Sequence, residues 1–439
     1  MNPYPSYKET GVEWIGEIPS GWDVVSIKRL CSVKRGSSPR PIDDPKFFDE
    51  QGEFRWVRIS DVSSSERYLE KTTQVLSELG SSLSTKRYPG DIFLSIAGSV
   101  GKPIISKIKC CIHDGFVWFD DLNIDSEYLY YIFSLSQCFQ GLGKFGTQLN
   151  LNTETVGSIK IPLMTHIEQQ QIVDHLDKGT TKIDSLIEKT QKKIELLKEQ
   201  RISLIDQVVT KGLNSDVEMK DSGVEWIGEI PCGWEIRRIW SLGKFSKGRG
   251  IKKDEVKQNG IPCIRYGEIY TDYDRVVYSP KSFIDEETSQ NSEPIKKGDV
   301  LFTGSGELLE EIGKSVVYYG DTIVFVGGDI IILQLNDDSN PLFVSYLMNS
   351  YTVNSKKTRS GKGGIIVHIY SKQLKDIKVT LPPLQQQQQI VDHLDKETTK
   401  IDSTIEKETQ RIDLLKEYRQ SLISNVVTGK VDVRDEVVV

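Results

Sequence analysis

Gly11–Pro19 reads GVEWIGEIP, and Gly223–Pro231 reads GVEWIGEIP again. Nine identical residues, each set holding a tryptophan (Trp14, Trp226), are far beyond coincidence, so the chain is a tandem duplication. A second shared run lies at the far end of each copy: QIVDHLDK at Gln171–Lys178 returns at Gln389–Lys396. Between these runs further anchors pair off at separations that drift. Arg58 in RWVRISD matches Arg265 in PCIRYGE, Gly90-Asp91 matches Gly298-Asp299, and Gly101-Lys102 matches Gly313-Lys314. Drift between fixed anchors is how surface loops diverge on a retained scaffold.

Each copy closes on a helical pattern. From Leu176 a 4,3 alternation lands on Leu176, Thr180, Ile183, Ile187, Thr190, Ile194, Leu197, Arg201, Leu204 and Val208. The second copy gives Leu394, Thr398, Ile401, Ile405, Glu408, Ile412, Leu415, Arg419, Leu422 and Val426. A mostly apolar seam of period 3.5 among Lys, Glu, Gln and Asp is a coiled-coil pattern. A helix from about Glu168 to Thr210 would be roughly 60 Å long at 1.5 Å per residue. Pairing within the chain, with the long return through the second copy, gives an antiparallel coiled coil with a globular half at each end and pseudo-twofold symmetry. Pairing with another chain satisfies the periodicity as well.

The globular halves read as mixed α and β. Phe54 to Ile59, Ile92 to Ile96, Val300 to Thr303 and Ile323 to Leu335 have strand composition bounded by Gly, Asp and Pro. Ser126 to Gln140 and Pro341 to Asn354 repeat apolar residues at helical spacing. The expected class is α+β, with borders at 1–165, 166–211, 212–384, 385–430 and a tail at 431–439.

At 439 residues, 37% hydrophobic and 27% charged, with a mean hydropathy of −0.35, the composition is that of a soluble globular protein. The start, MNPYPSYKETGVEW, lacks a signal peptide's basic and apolar regions, and no run approaches a membrane span, so a cytoplasmic location is expected. The six cysteines do not recur between copies; Cys110, Cys111 and His113 lack a second pair at zinc-site spacing, and no metal is expected.

Catalytic motifs are missing. Gly313-Lys314-Ser315 resembles the end of a phosphate-binding loop, but the required earlier glycine is Leu308 and the first copy has Gly101-Lys102-Pro103. No HExxH, no GxSxG and no Asn/Asp-Pro-Pro-aromatic tetrad occurs. His175 and His393 recur beside Asp174 and Asp392 without a nucleophile, so packing or solvation suffices for them.

Basic residues, despite a net charge of −7, gather between the anchors of both copies. The first has Lys34, Arg35 and Arg40 around GSSPRP, then Arg55 and Arg58, then Lys144 beside FGTQLNLN. The second has Lys247, Arg249, Lys252 and Lys253 in SKGRGIKK, then Arg265, then Lys356, Lys357, Arg359 and Lys362 in KKTRSGKGG. Glycine and serine let backbone amides approach phosphates, and Arg, Gln and Asn can contact base edges. The candidate DNA-binding residues are Lys34, Arg35, Arg40, Arg58, Lys144, Gln148, Asn150, Lys247, Arg249, Arg265, Arg359, Lys362 and His368. Lysines and arginines on phosphates would position each half, while a few polar side chains read bases in the major groove.

Taken together, the order of halves and helices, GVEWIGEIPSGW, RWVRISD, GDIFLSIAGSVGK with GDVLFTGSGELLEEIGK, and LPPLQQQQQIVDHLDK resemble the specificity subunits of type I restriction-modification systems. The resemblance covers nearly the whole chain. It implies a non-catalytic DNA reader with two target recognition domains, each contacting one half of a split, asymmetric sequence. It also implies partners: two modification subunits that methylate adenine with S-adenosylmethionine, and restriction subunits that use ATP and Mg. One departure stands at the start of the first helix, where Leu163-Met164-Thr165-His166 replaces Leu-Pro-Pro-Leu; without the proline pair a less rigid join is expected there. A protein-binding scaffold explains the acidic balance but not the repeated basic loops, and a stand-alone ATPase would need Lys314 as its phosphate lysine.

Overall fold

The structure, a computed structural model, describes residues 3–142, 151–306, 313–360 and 367–434. It divides into two compact units, Met1–Thr190 with Gln410–Val439, and Gln191–Thr409. Both long helices pass from one unit into the other, so each unit takes in part of each.

Unit 1 holds strands β1 (Ser32–Arg35), β2 (Phe54–Val57), β3 (Tyr68–Leu69), β4 (Gln74–Leu76), β5 (Thr85–Arg87), β6 (Ile92–Ser95), β7 (Pro103–Ser106), β8 (Cys110–Ile112) and β9 (Phe116–Asp120). They form a five-stranded sheet, β1-β9-β6-β7-β3, and a four-stranded sheet, β4-β2-β8-β5. Its helices include α1 (Ile59–Ser64), α2 (Ser126–Phe133) and the first part of α3 (His166–Lys211). Unit 2 repeats the set as β10 (Gly243–Lys247), β11 (Ile261–Ile264), β12 (Val276–Val277), β13 (Ser282–Ile284), β14 (Glu293–Ile295), β15 (Val300–Thr303), β16 (Ser315–Tyr318), β17 (Val324–Val326) and β18 (Ile330–Leu335). The orders β10-β18-β15-β16-β12 and β13-β11-β17-β14 match those of unit 1 strand for strand. With them come α4 (Tyr266–Thr271), α5 (Pro341–Asn349), α6 (Tyr351–Ser360) and most of α7 (Leu384–Val427).

Alternation across a strand explains why the central strands are apolar throughout. Ile92 and Leu94 of β6 face a core that includes α2 and the long helices, while Phe93 faces Val57, Ile104 and Ile112 on the other side. In β15, Val300 and Phe302 face the helices and Leu301 faces Ile264, Val316 and Val326. The same alternation separates the adjacent cysteines: Cys110 packs with Val57 and Phe93, Cys111 with Phe54 and Trp56. The two thiols therefore cannot meet on one ion.

The repeated GVEWIGEIP peptide closes the far end of a long helix in each unit. Gly11 and Gly16 (φ +66° and +69°) turn the chain between a strand Tyr7–Glu9 and its partner Glu17–Pro19, and Gly223 and Gly228 do the same in unit 2. Beyond α7, Gly429 has φ +71°, and a Cβ there would lie 2.3 Å from Pro19 and 3.0 Å from Trp22. Beyond α3, Gly212 has φ +83°, and a Cβ there would lie 3.2 Å from Trp234. A glycine ends each helix where the repeated Pro and Trp close against it.

In unit 1, Ile183 and Leu422 share one core and Arg419 Nε donates to Asp184 Oδ1 at 2.8 Å. In unit 2, Arg201 Nε lies 2.9 Å from Asp402 Oδ1 and Lys193 pairs with Glu408. Partner numbers fall on α7 as they rise on α3, so the segments run antiparallel in each unit. The arginines that interrupt the apolar seam thus reach an aspartate across it. Such half-exposed pairs contribute about 0–1 kcal/mol, whereas a buried Leu or Ile contributes about 1.5–3 kcal/mol; the apolar positions hold the helices and the pairs set register.

Several expectations are corrected. Gly327-Gly328 breaks the run 323–335 into β17 and β18. Lys356 to Arg359 lie on α6 rather than in a loop. An equivalent glutamine holds the chain at each helix start, with the proline pair and without it: Gln169 Nε2 donates to Met164 O at 3.0 Å, and Gln387 Nε2 to Pro382 O at 2.8 Å. Among the described residues no helix is long and apolar enough to cross a membrane.

Lys357 is fully buried on α6 and donates to Gly313 O (2.6 Å) and Met348 O (2.7 Å). Burial holds its pKa down to about 7 from the ordinary 10.5. Between those values the unfolded chain binds the proton and the folded chain does not, so stability is lost as pH falls from 10.5 towards 7. Urea midpoints at pH 7.5 and 9.5 should therefore rise more with pH in the native chain than in Lys357→Met; parallel profiles would contradict the assignment.

Candidate nucleic-acid interface

In unit 1 four connections meet at one end of the sheets. Gly36 follows β1 and donates from its amide to Phe116 O at 2.9 Å; a Cβ on it would lie 2.2 Å from His113 O. The turn 96–101 between β6 and β7 touches α1: a Cβ on Gly98 would lie 2.6 Å from Ile59 at its start, and the hydroxyls of Ser63 and Ser99 meet near its end. Ile96 donates to Gly115 O at 2.8 Å, drawing in the 113–115 turn. Segments 35–40, 58–63, 96–101 and 113–115 thus form one surface.

Arg35 Nε donates to Asp114 O, and Arg40 Nη2 to Asp114 Oδ2 at 2.7 Å. Lys34 pairs with Asp120 and lies over the Trp118 ring. Arg58 is exposed, and its backbone amide donates to Asp61 Oδ2 at 2.9 Å. His113 Nδ1 accepts from the Gly115 amide at 2.9 Å, leaving Nε2 as the ring's N–H, and burial keeps the imidazole's pKa low. Lys144, Gln148 and Asn150 lie outside the described residues.

Unit 2 brings together the equivalent segments. A Cβ on Gly248 would lie 2.1 Å from Gly327 O, and Gly304 donates to Asp329 O at 2.9 Å. Ile251, Lys253, Arg265, Tyr266 and Gly327 to Asp329 line a cleft of roughly 470 Å³. Lys247 is exposed at the end of β10, and Arg249 lies 3.3 Å from Glu293. Arg265 opens α4 as Arg58 opens α1, its amide donating to Glu268 Oε2 at 3.3 Å and its Nε to Oε1 at 2.6 Å. The retained Arg-x-x-acid spacing is therefore a helix cap, with the carboxylate holding the first amide. Arg359 is exposed in the last turn of α6. The backbone at His368 pairs with Ser305, but its side chain, like Lys362, lies outside the described residues. Lys357, by its burial, is no surface contact.

The Gly-Lys anchors have a structural task. Lys102 Nζ donates to Ser63 O (3.1 Å) and to Ser65 O at the end of α1, while Lys314 Nζ donates to Tyr270 O (3.3 Å) and Tyr273 O (2.8 Å) at the end of α4. A lysine on a helix's last carbonyls is a C-terminal cap; this, not phosphate binding, accounts for their recurrence.

Residues 19–196 and 231–417 match the family described as type I restriction modification DNA specificity domain. The chain belongs to that family. It carries two such domains, one in each copy. It is 25% identical to the type I restriction enzyme MjaIX specificity subunit of Methanocaldococcus jannaschii over 98% of this chain and 97% of that one. It is 23% identical to the MjaVIII specificity subunit of the same organism over 95% of each. In fold it is similar to a chain from a solved structure on complex assembly and conformational transition of the type I R-M system, with a TM-score of 0.73, 16% identity, and coverage of 94% of this chain and 99% of that one.

Sequence reading missed His113 and Asp114 as members of the first specificity domain's surface, because the nearby cysteines drew His113 into a metal reading. Asp114 holds Arg40 with its carboxylate and Arg35 with its backbone carbonyl, and an exposed ion pair such as that with Arg40 is worth only about 0–1 kcal/mol, so a phosphate can take the carboxylate's place. Asp114→Asn should raise non-specific DNA affinity and steepen the salt dependence by about one phosphate's worth; salt titrations by fluorescence anisotropy with an unaltered slope would contradict this.

Proposed function

We propose that this chain is the DNA-reading subunit of a type I restriction-modification complex and does no chemistry itself. The observation that carries the reading is the same basic loop surface, built from equivalent connections of identical sheet orders, in both copies of a chain of this family. Each surface would take one half of a two-part DNA site. Arg40, Arg58, Lys247 and Arg359, exposed, suit phosphates; the clefted Arg265 and the neutral His113 suit base edges. Lys34, Arg35, Arg249 and the candidates outside the described residues complete the assignment. Because the loops of the two copies differ, the halves of the site should differ as well.

The long helices would set the spacing between half-sites and carry two modification subunits, with restriction subunits joining them. S-adenosylmethionine, ATP and Mg would be used by those partners. A scaffold without DNA specificity is not favoured.

The test is a genome-wide map of methylated adenines in a host given this chain with its modification subunits. A two-part motif with unequal halves is expected, lost when the chain is omitted and relaxed in one half only by Arg265→Ala. A motif that survives omission of the chain would overturn the reading.

A further inference from the structure

Where each globular part meets a long helix, one half-buried polar cluster occurs twice. In unit 1, Arg67, next to β3, pairs with Asp177 on α3 and donates from Nε to Glu127 at 2.7 Å. Its guanidinium lies 4.8 Å from the ring centroid of Tyr131 on α2, whose hydroxyl donates to the same Asp177 oxygen. In unit 2, Arg275, next to β12, lies 2.8 Å from Asp395 on α7 and 3.7 Å from the ring of Tyr346 on α5. The Tyr346 hydroxyl donates to Asp395 Oδ1 at 2.7 Å. Thr180 and Thr398 stand beside the two phenols at 3.2 and 3.3 Å, each donating to a carbonyl of its own helix.

The neighbours of this trio have diverged while the trio has not. Glu127 is replaced by Leu342, Tyr68 by Val276 and Tyr130 by Ser345, yet Arg, Tyr and Asp persist with the same three contacts. With the arginine largely covered and the carboxylate nearly half exposed, the ion pair adds little net stability compared with apolar packing, and its more definite effect is to fix an arrangement. Here a planar guanidinium, stacked on a ring and bound to a carboxylate that also holds that ring's hydroxyl, allows one angle between domain and helix. Burial pushes the Tyr346 phenol up to about 12, so it remains a donor throughout the working pH range.

We propose that Arg67–Tyr131–Asp177 and Arg275–Tyr346–Asp395 are positioning joints that fix each DNA-reading domain on its helix, and so decide how strictly spacer length is enforced, not which bases are read. This rests on the DNA-reading function proposed above. It separates two properties: base preference belongs to the loops, spacer strictness to the joints.

The test uses the full complex with modification subunits and DNA carrying the mapped half-sites at the native spacer or one base pair longer or shorter. In the double variant Arg67→Gln/Arg275→Gln the ratio of methylation rates, native to altered spacer, should fall roughly tenfold, within the roughly hundredfold that a misplacement of about 1 Å can cost. Preference at each half-site base should stay unchanged. Arg67→Lys/Arg275→Lys, which keeps the charge but not the stacked plane, should lie between. Tyr131→Phe/Tyr346→Phe, which removes only the hydroxyls, should lower the ratio by a smaller factor and carries the test if the glutamine variants do not assemble. An unchanged ratio in assembled variants overturns the joints. Absence of sequence-specific methylation by the unsubstituted complex overturns instead the functional reading beneath them.

Discussion

The structure depends on how a mixed sheet domain is seated on a helix face. In each copy that face carries a glutamine, an aspartate and a threonine at equal spacing, Gln169, Asp177 and Thr180 on α3 and Gln387, Asp395 and Thr398 on α7. The glutamine holds the chain just before its own helix and the amide that opens α2 or α5, through Asp125 in one copy and Asn340 in the other. The aspartate takes the arginine and the tyrosine of the domain. Between these polar points Leu176 and Leu394 are fully buried, and the apolar contact supplies most of the stabilisation.

Once seating and sheet order are fixed at the helix side, the opposite connections are free to change. Their requirements are few: glycine where backbones close, as at Gly36 and Gly248, a lysine capping the short helix, and an acid holding its first amide. Everything else on that surface can vary without touching the core. Two copies can thus keep one architecture and present different chemistry, as a reader of an asymmetric site requires.

The sequence made some of this plain and concealed the rest for physical reasons. The duplication, the heptad seam and the apolar central strands were legible because period and identity are local properties. The split of 323–335 at Gly327-Gly328 and the helix at Lys356–Arg359 were not, since β-branched composition hid a turn and helix-compatible lysines looked like a loop. Arg58 and Arg265 could be picked out, but their capping carboxylates were read only as part of an anchor. Asp114 and His113 were beyond reach because the loops converge through sheet orders whose neighbours are not consecutive in the chain. The joint was hidden likewise: Arg67 and Tyr131 are 64 residues apart, and neither stands in a motif.

The central claim, that each domain meets DNA with one end of its sheets, is tested most directly by amide hydrogen exchange on the full complex with and without DNA bearing its methylated motif. The account predicts slowed exchange at 36–40, 58–63, 97–101 and 113–115, and at 248–253, 265–267 and 327–329, with little change along α3 and α7. Protection confined to the helices or to the GVEWIGEIP turns, with those loops unaffected, would contradict it.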